Sequence, residues 1–117
     1  MTQLTTEQLQ QLVIQALQDL KAQDIQHIDV EGIASFTERM IFASGTSNRH
    51  VKSIAQSVID ASKQAGVAPL GVEGEDIGDW ILVDLGDVVV HVMLPETREF
   101  YDIERLWLEE AGHSVAS

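Results

Sequence analysis

A chain of 117 residues, 44% of them hydrophobic, is long enough for one domain with one core and too short for two. Its 19 acids against 7 bases give a formal net charge of −12, a field that repels phosphate backbones and anionic lipid. Direct nucleic-acid or membrane binding is therefore disfavoured as the main activity, and a basic partner is attracted. There is no cysteine, which removes disulfide frameworks and thiolate zinc sites. The first residues lack a secretory signal pattern and no uncharged span is long enough to cross a bilayer, so the cytoplasm is the expected compartment.

In chain order, Thr5-Thr6-Glu7-Gln8 has the form of a capping box, and Leu9, Leu12, Val13, Ala16, Leu17 and Leu20 follow at helical spacing. Ile25 to Val30 alternates as a short strand. Met40 to Ala43 is a β-rich apolar run expected inside a sheet. Ser44-Gly45-Thr46-Ser47-Asn48 then suits a tight strand-to-helix turn, and Val51, Ile54, Ala55, Val58 and Ile59 give a second amphipathic helix ended by Gly66. Residues 66–78 carry four Gly and one Pro and cannot be helical; Leu70 to Val72 is expected as a short edge strand. Glu73, Glu75, Asp76 and Asp79 make the adjoining loop acidic, either as solvated surface or as a steering rim for a basic partner.

Trp80 to Met93 forms the clearest signal in the chain. Gly86-Asp87 between two apolar runs predicts a two-residue hairpin turn, which pairs Trp80 with Met93, Leu82 with His91 and Asp84 with Val89. One side of the ribbon is then Ile81, Val83, Leu85, Val88, Val90 and Val92, uniformly aliphatic and suited to a core. The other side is Trp80, Leu82, Asp84, Val89, His91 and Met93. This mixed face calls for a cover, supplied by more of the same chain or by a partner, whether another protein or a second copy in a homodimer. Beyond it, Pro95-Glu96-Thr97-Arg98-Glu99 leads into a final helix expected to carry Phe100, Ile103 and Trp107 on one stripe, with Tyr101 and Glu104 beside it and Asp102 as its cap or in its first turn. The domain spans 1–117, with flexible ends expected at roughly 1–5 and 110–117.

An enzyme reading starts at the Ser44–Arg49 turn, since free amides at a helix N-terminus after a Gly/Ser turn can hold phosphate. Nucleotidyltransferase-like domains hold a nucleoside triphosphate in this way, but they also need alternate carboxylates for metal ions just after the turn. Asp29 and Glu31 have the spacing and lie before it, whereas Arg49, His50 and Lys52 follow it. None of His27, His50, His91 and His113 has a second His at ligand spacing or a Cys to work with. His91, on the mixed face, is read as an interface imidazole in preference to a general base because no nucleophile can be argued beside it. No catalytic residue, metal site or cofactor is expected.

Five segments carry a resemblance: Phe42 to Arg49, Pro69 to Gly74, Trp80 to Asp84, Gly86 to Val92, and Pro95 to Trp107. Together, in this order and spacing, they resemble the ribosomal silencing factor family RsfS, also known as Iojap/YbeB, over nearly the whole chain. Met93 stands where the family commonly has an aromatic. The resemblance implies a single α/β domain with a mixed β-sheet and helices packed mainly on one face, nucleotidyltransferase-like without catalytic residues. It implies a non-enzymatic translation repressor that binds large-subunit ribosomal protein fourteen, blocks joining of the ribosomal subunits when nutrients are scarce, and has organellar relatives acting in large-subunit biogenesis. Combined with the mixed face, it points to Trp80, Leu82, His91 and Met93 as the centre of the contact, bordered by Asp84 and Tyr101.

Overall fold

The first helix is set by local chemistry. Thr5 accepts a hydrogen bond from the Gln8 amide at 3.1 Å, and the Thr5 amide donates back to the Gln8 side chain at 2.9 Å, so two otherwise unpaired amides are satisfied. Residues 4–110 are described by the computed structural model. Most of both ends expected to be flexible, 1–3 and 111–117, lies outside the described residues. The elements are α1 (Thr6–Asp19), β1 (Gln23–Asp29), β2 (Arg39–Ser44), α2 (Asn48–Gln64), β3 (Gly71–Glu73), β4 (Trp80–Asp84), β5 (Val88–Met93), α3 (Pro95–Tyr101) and α4 (Ile103–Glu110).

One five-stranded sheet runs in the order β1-β2-β5-β4-β3. β2 and β5 are parallel, and the other three pairs are antiparallel. The hairpin register is the one the turn dictates: Trp80 opposite Met93, Leu82 opposite His91, Asp84 opposite Val89. Gly86 supplies the positive φ of 91° that the turn needs, and the Leu85 amide closes it on the Val88 carbonyl at 2.9 Å. The chain is thus a single α/β domain with a mixed sheet.

The pleat then sorts the side chains. On the aliphatic side, Ile81, Val83, Leu85, Val88, Val90 and Val92 join Ile41 and Ala43 of β2 and are covered by α1 and α2 through Leu9, Val13, Leu17, Val51, Ile54 and Val58. This is the main core. A second, smaller core lies on the opposite side, where Ile28, Val30, Met40, Phe42 and Met93 are covered by Ile103, Trp107 and Leu108.

The final helix differs from the sequence expectation. It is two helices, because Asp102 adopts the left-handed conformation (φ 50°, ψ 43°) between Tyr101 and Ile103. The break takes Phe100 off the stripe it was expected to share with Ile103 and Trp107. Those two are packed against the second core, while Phe100 is 79% exposed. Helical periodicity holds only while the backbone stays helical, and one left-handed residue turns the following helix onto a new axis.

Replacing Thr5 with Ala should lower unfolding free energy by about 1 kcal/mol, read as a reduced urea midpoint at unchanged slope; an unaltered midpoint would show that the capping box carries no stability.

Candidate interaction surface

The mixed face is covered over one half and open over the other. In its β1-β2-β5 half Val89, His91 and Met93 are buried, Met93 within the second core that Ile103, Trp107 and Leu108 of α4 cover. Its β4 half is open: Trp80, Leu82 and Asp84 remain partly exposed, and Tyr101 is 53% exposed. Tyr101 packs on Trp80 with ring centroids 5.0 Å apart, and Phe100 meets Tyr101 edge-on at 5.0 Å. Four of the six residues singled out from sequence, Trp80, Leu82, Asp84 and Tyr101, therefore share an accessible strip. The other two, His91 and Met93, form its floor. They are covered because β5 is the central strand of the sheet: Met93 lies in the core beneath α4, and the His91 ring lies against Phe42 and Trp80.

The floor is specific in its bonding. Trp80 Nε1 donates to His91 Nδ1 at 3.1 Å, and the imidazole stacks on Phe42 at 4.7 Å with the planes 9° apart. An indole can only donate, so Nδ1 is the acceptor and the imidazole proton lies on Nε2. That Nε2 is buried with no hydrogen-bond partner among the described residues. Burial pushes the His91 pKa down from 6.5 to about 4, because charging the ring would cost its hydration without a carboxylate to replace it. His91 is a neutral packing group that holds the indole edge of Trp80 in place.

Two residues missed by pattern reasoning position the strip. Arg98 of α3 binds the Glu104 carboxylate of α4 through Nε and through Nη2 at 2.9 Å, and its Nη1 donates to Ser44 Oγ at 2.9 Å. Both side chains are mostly buried, with 12% and 14% exposure. One planar fork thus ties both C-terminal helices to the end of β2, a geometry a Lys could not reproduce. Arg98 and Glu104 are six apart, a spacing that faces nothing in a continuous helix, so only the break at Asp102 brings them together. Asp84 is partly engaged, its Oδ1 accepting from the Gly86 amide at 2.9 Å.

The Ser44–Arg49 turn is occupied by its own chain. The Gly45 amide donates to the Met93 carbonyl at 3.1 Å, and the Thr46 amide to His50 Nδ1 at 2.9 Å, while His50 Nε2 lies 2.7 Å from the Leu20 carbonyl. A Cβ on Gly45 would stand 2.9 Å from both the Val51 amide nitrogen and its Cγ2; the glycine lets strand and helix approach. The candidate metal carboxylate Asp29 sits opposite Arg39, at the far end of β2 from Ser44. That is five strand residues, about 16 Å, away. It accepts from Arg39 at 3.2 Å and from the Glu31 amide at 3.0 Å. The turn and the carboxylates do not form one site.

Comparison with known proteins decides the family. The family described as "Ribosomal silencing factor during starvation" matches residues 3–116. The chain belongs to that family. A ribosomal silencing factor RsfS from Chromobacterium violaceum is 52% identical over 101 residues, covering 86% of this chain and 83% of that protein. The mouse protein named "Mitochondrial assembly of ribosomal large subunit protein 1" is 35% identical over 99 residues, 82% of this chain and 43% of that longer protein. A crystal structure from Chromobacterium violaceum superposes with a TM-score of 0.89 at 47% identity, covering 97% of this chain and 92% of that one. These relatives are named for silencing or assembling ribosomes, not for a reaction.

The depressed His91 pKa gives a pH signature. Between pH 6.5 and about 4 the unfolded chain binds a proton at this position that the native chain refuses, so the contribution is complete above 6.5 and lost as pH falls. From pH 7 to 4.5, wild type should lose about 2 kcal/mol more stability than His91→Phe, measured by chemical denaturation at both pH values. Parallel losses in the two proteins would show that His91 is not held neutral.

Proposed function

We propose that this domain is a ribosomal silencing factor that acts by occupancy: it binds the large ribosomal subunit through large-subunit ribosomal protein fourteen and sterically prevents the small subunit from joining, repressing translation when nutrients are limiting. The observation that carries the reading is the open half of the mixed face, where Trp80, Leu82, Tyr101 and Phe100 form an exposed apolar strip with Asp84 at its border. Aromatics concentrated at one exposed place are the usual centre of a protein contact. The acidic loop stands beside it, with Glu73, Glu75 and Asp76 exposed immediately before Trp80. Together with the net charge of −12, that loop favours a basic ribosomal protein over bare RNA or an anionic membrane.

On this reading Trp80, Leu82 and Tyr101 touch the partner directly. His91 and Met93 act from beneath, His91 by fixing the indole. No turnover is needed, since a bound domain at the joining surface excludes the other subunit by volume alone. The cytoplasm is the compartment where such a partner is met, and the mouse relative's name supports the large subunit as the particle bound.

Trp80→Ala should weaken large-subunit binding by about 2 kcal/mol, roughly thirtyfold, while Glu75→Ala should mainly slow association. Tyr101→Ala, at a residue 53% exposed whose ring packs only on the surface of the strip, should weaken binding with a stability loss of no more than about 1 kcal/mol. Sedimentation of mixed subunits with each protein, folded by circular dichroism, reads both the particle it rides on and whether joining is blocked. Wild-type affinity in both Trp80→Ala and Tyr101→Ala would place the contact elsewhere.

A further inference from the structure

The loop between β3 and β4 is held from outside itself. Gly78 is buried and takes φ 81°, and a Cβ there would stand 2.7 Å from Lys52 Cε and 3.1 Å from the Asn48 carbonyl oxygen. The loop therefore lies directly on the first turns of α2, in a conformation that glycine adopts freely and other residues do not. Two side chains of that helix bind it: Asn48 Nδ2 donates to the Ile77 carbonyl at 2.9 Å, and Lys52 Nζ to the Asp76 carbonyl at 3.2 Å. The Gly78 amide donates to the Gly74 carbonyl at 3.0 Å, and the Asp79 carbonyl accepts from the Leu94 amide at 3.0 Å. Each residue from 76 to 79 is thus bonded through its main chain.

This pinning leaves one large apolar side chain outside. Ile77 is 68% exposed. It lies three residues before Trp80, so the two Cα atoms are within about 11 Å of each other. A single exposed aliphatic side chain is ordinary when its loop is free to move. Here the backbone is fixed on both sides, so covering Ile77 with a partner forfeits little conformational freedom. Lys52 is directed to a main-chain carbonyl, and none of the ion pairs among the described residues engages Glu73, Glu75, Asp76 or Asp79. The surroundings of Ile77 therefore favour a cationic neighbour. A Lys or Arg side chain fits an aliphatic surface in such a setting, because its apolar stem packs while its charged head stays beside the carboxylates.

We propose that Ile77 is a further contact residue of this domain and that Asn48 and Lys52 are its positioning residues: α2 holds the 74–79 loop so that Ile77 receives the apolar stem of a Lys or Arg side chain on the basic ribosomal protein. The contact then runs from the Trp80 strip past the start of β4 onto the preceding loop. This inference rests on the occupancy reading above.

Kinetics of binding to immobilised large subunits test it. Ile77→Ser, at an exposed position that leaves both cores untouched, should lower affinity about tenfold through faster dissociation, whereas Glu75→Ala slows association. Asn48→Ala should weaken binding about fivefold. Lys52→Met should act the same way, and Lys52→Arg, which keeps a donor on the stem, should not. The double substitution decides whether α2 acts through Ile77: Asn48→Ala combined with Ile77→Ser should bind no more weakly than Ile77→Ser alone. Multiplying losses would show that Asn48 does not position Ile77. Wild-type affinity in Ile77→Ser would overturn the contact, and the occupancy reading would still stand where Trp80→Ala remains weakened. Failure of the wild-type protein to bind the large subunit would overturn both.

Discussion

Pleat alternation in the β4–β5 hairpin is the constraint on which the molecule rests. Because successive side chains point to opposite faces, the two-residue turn at Gly86-Asp87 decides at once which six residues enter the main core and which six do not. A slip of one residue would bury Asp84 and His91 under α1 and α2 and turn Val83 and Val90 outward. The cost of an unpaired carboxylate in that aliphatic environment makes the slipped register untenable. The accessible strip is thus a by-product of core formation: Trp80 and Leu82 are outward because Ile81 and Val83 are inward.

What makes half of the outward face usable is the way the chain covers the other half. A fully bare face containing Phe42, Met40, Met93 and Trp80 would be a large aggregation surface. A fully covered one would have nothing to offer. The left-handed Asp102 and the Arg98 fork set the angle at which α4 crosses, and α4 is only eight residues long, about 12 Å of helix. It covers the strands on one side of Trp80 and stops, leaving Trp80 and Leu82 partly exposed and Tyr101 in the open. The ion pair earns its burial by fixing a direction: an apolar pair of the same volume would pack as well without specifying the crossing.

Much of this was legible in sequence, and the part that was not has a physical reason. The hairpin register, the capping box and the helices at Val13 and Val58 follow from local periodicity and turn chemistry, which neighbouring residues determine. The division of the mixed face does not follow, because it depends on where residues 103–108 come to lie relative to Ile28 and Met40, a long-range fact with no local signature. The break at Asp102 was hidden for the same reason: helix propensity favours continuity there, and tertiary packing through Arg98 and Trp107 overrides it. A six-residue Arg–Glu spacing inside a helical pattern was the available signal, since it pairs nothing on a straight helix. His91 was found as a residue of the right face but not at the right depth, because strand order decides depth and periodicity does not report it.

Charge and apolar contact divide the work of recognition between them on the proposed reading. The acids of the 73–79 loop are solvent-exposed for the most part and flank the strip without entering it, so they are screened over about 8 Å at physiological salt. Their field accelerates encounter with a basic surface and does little to hold it. The strip of Trp80, Leu82 and Tyr101 is short-ranged and desolvates on contact, so it sets how long the complex lasts. A factor that works by standing in the way needs that second property most, because its effect is the fraction of time the joining surface is occupied. The neutral, buried His91 serves residence time as well: a charged imidazole beneath Trp80 would draw water toward the floor and loosen the ring that the partner must press against. On the proposed reading, the pKa pushed down to about 4 by burial is therefore a structural condition of the contact, set where the imidazole lies against Phe42 and Trp80.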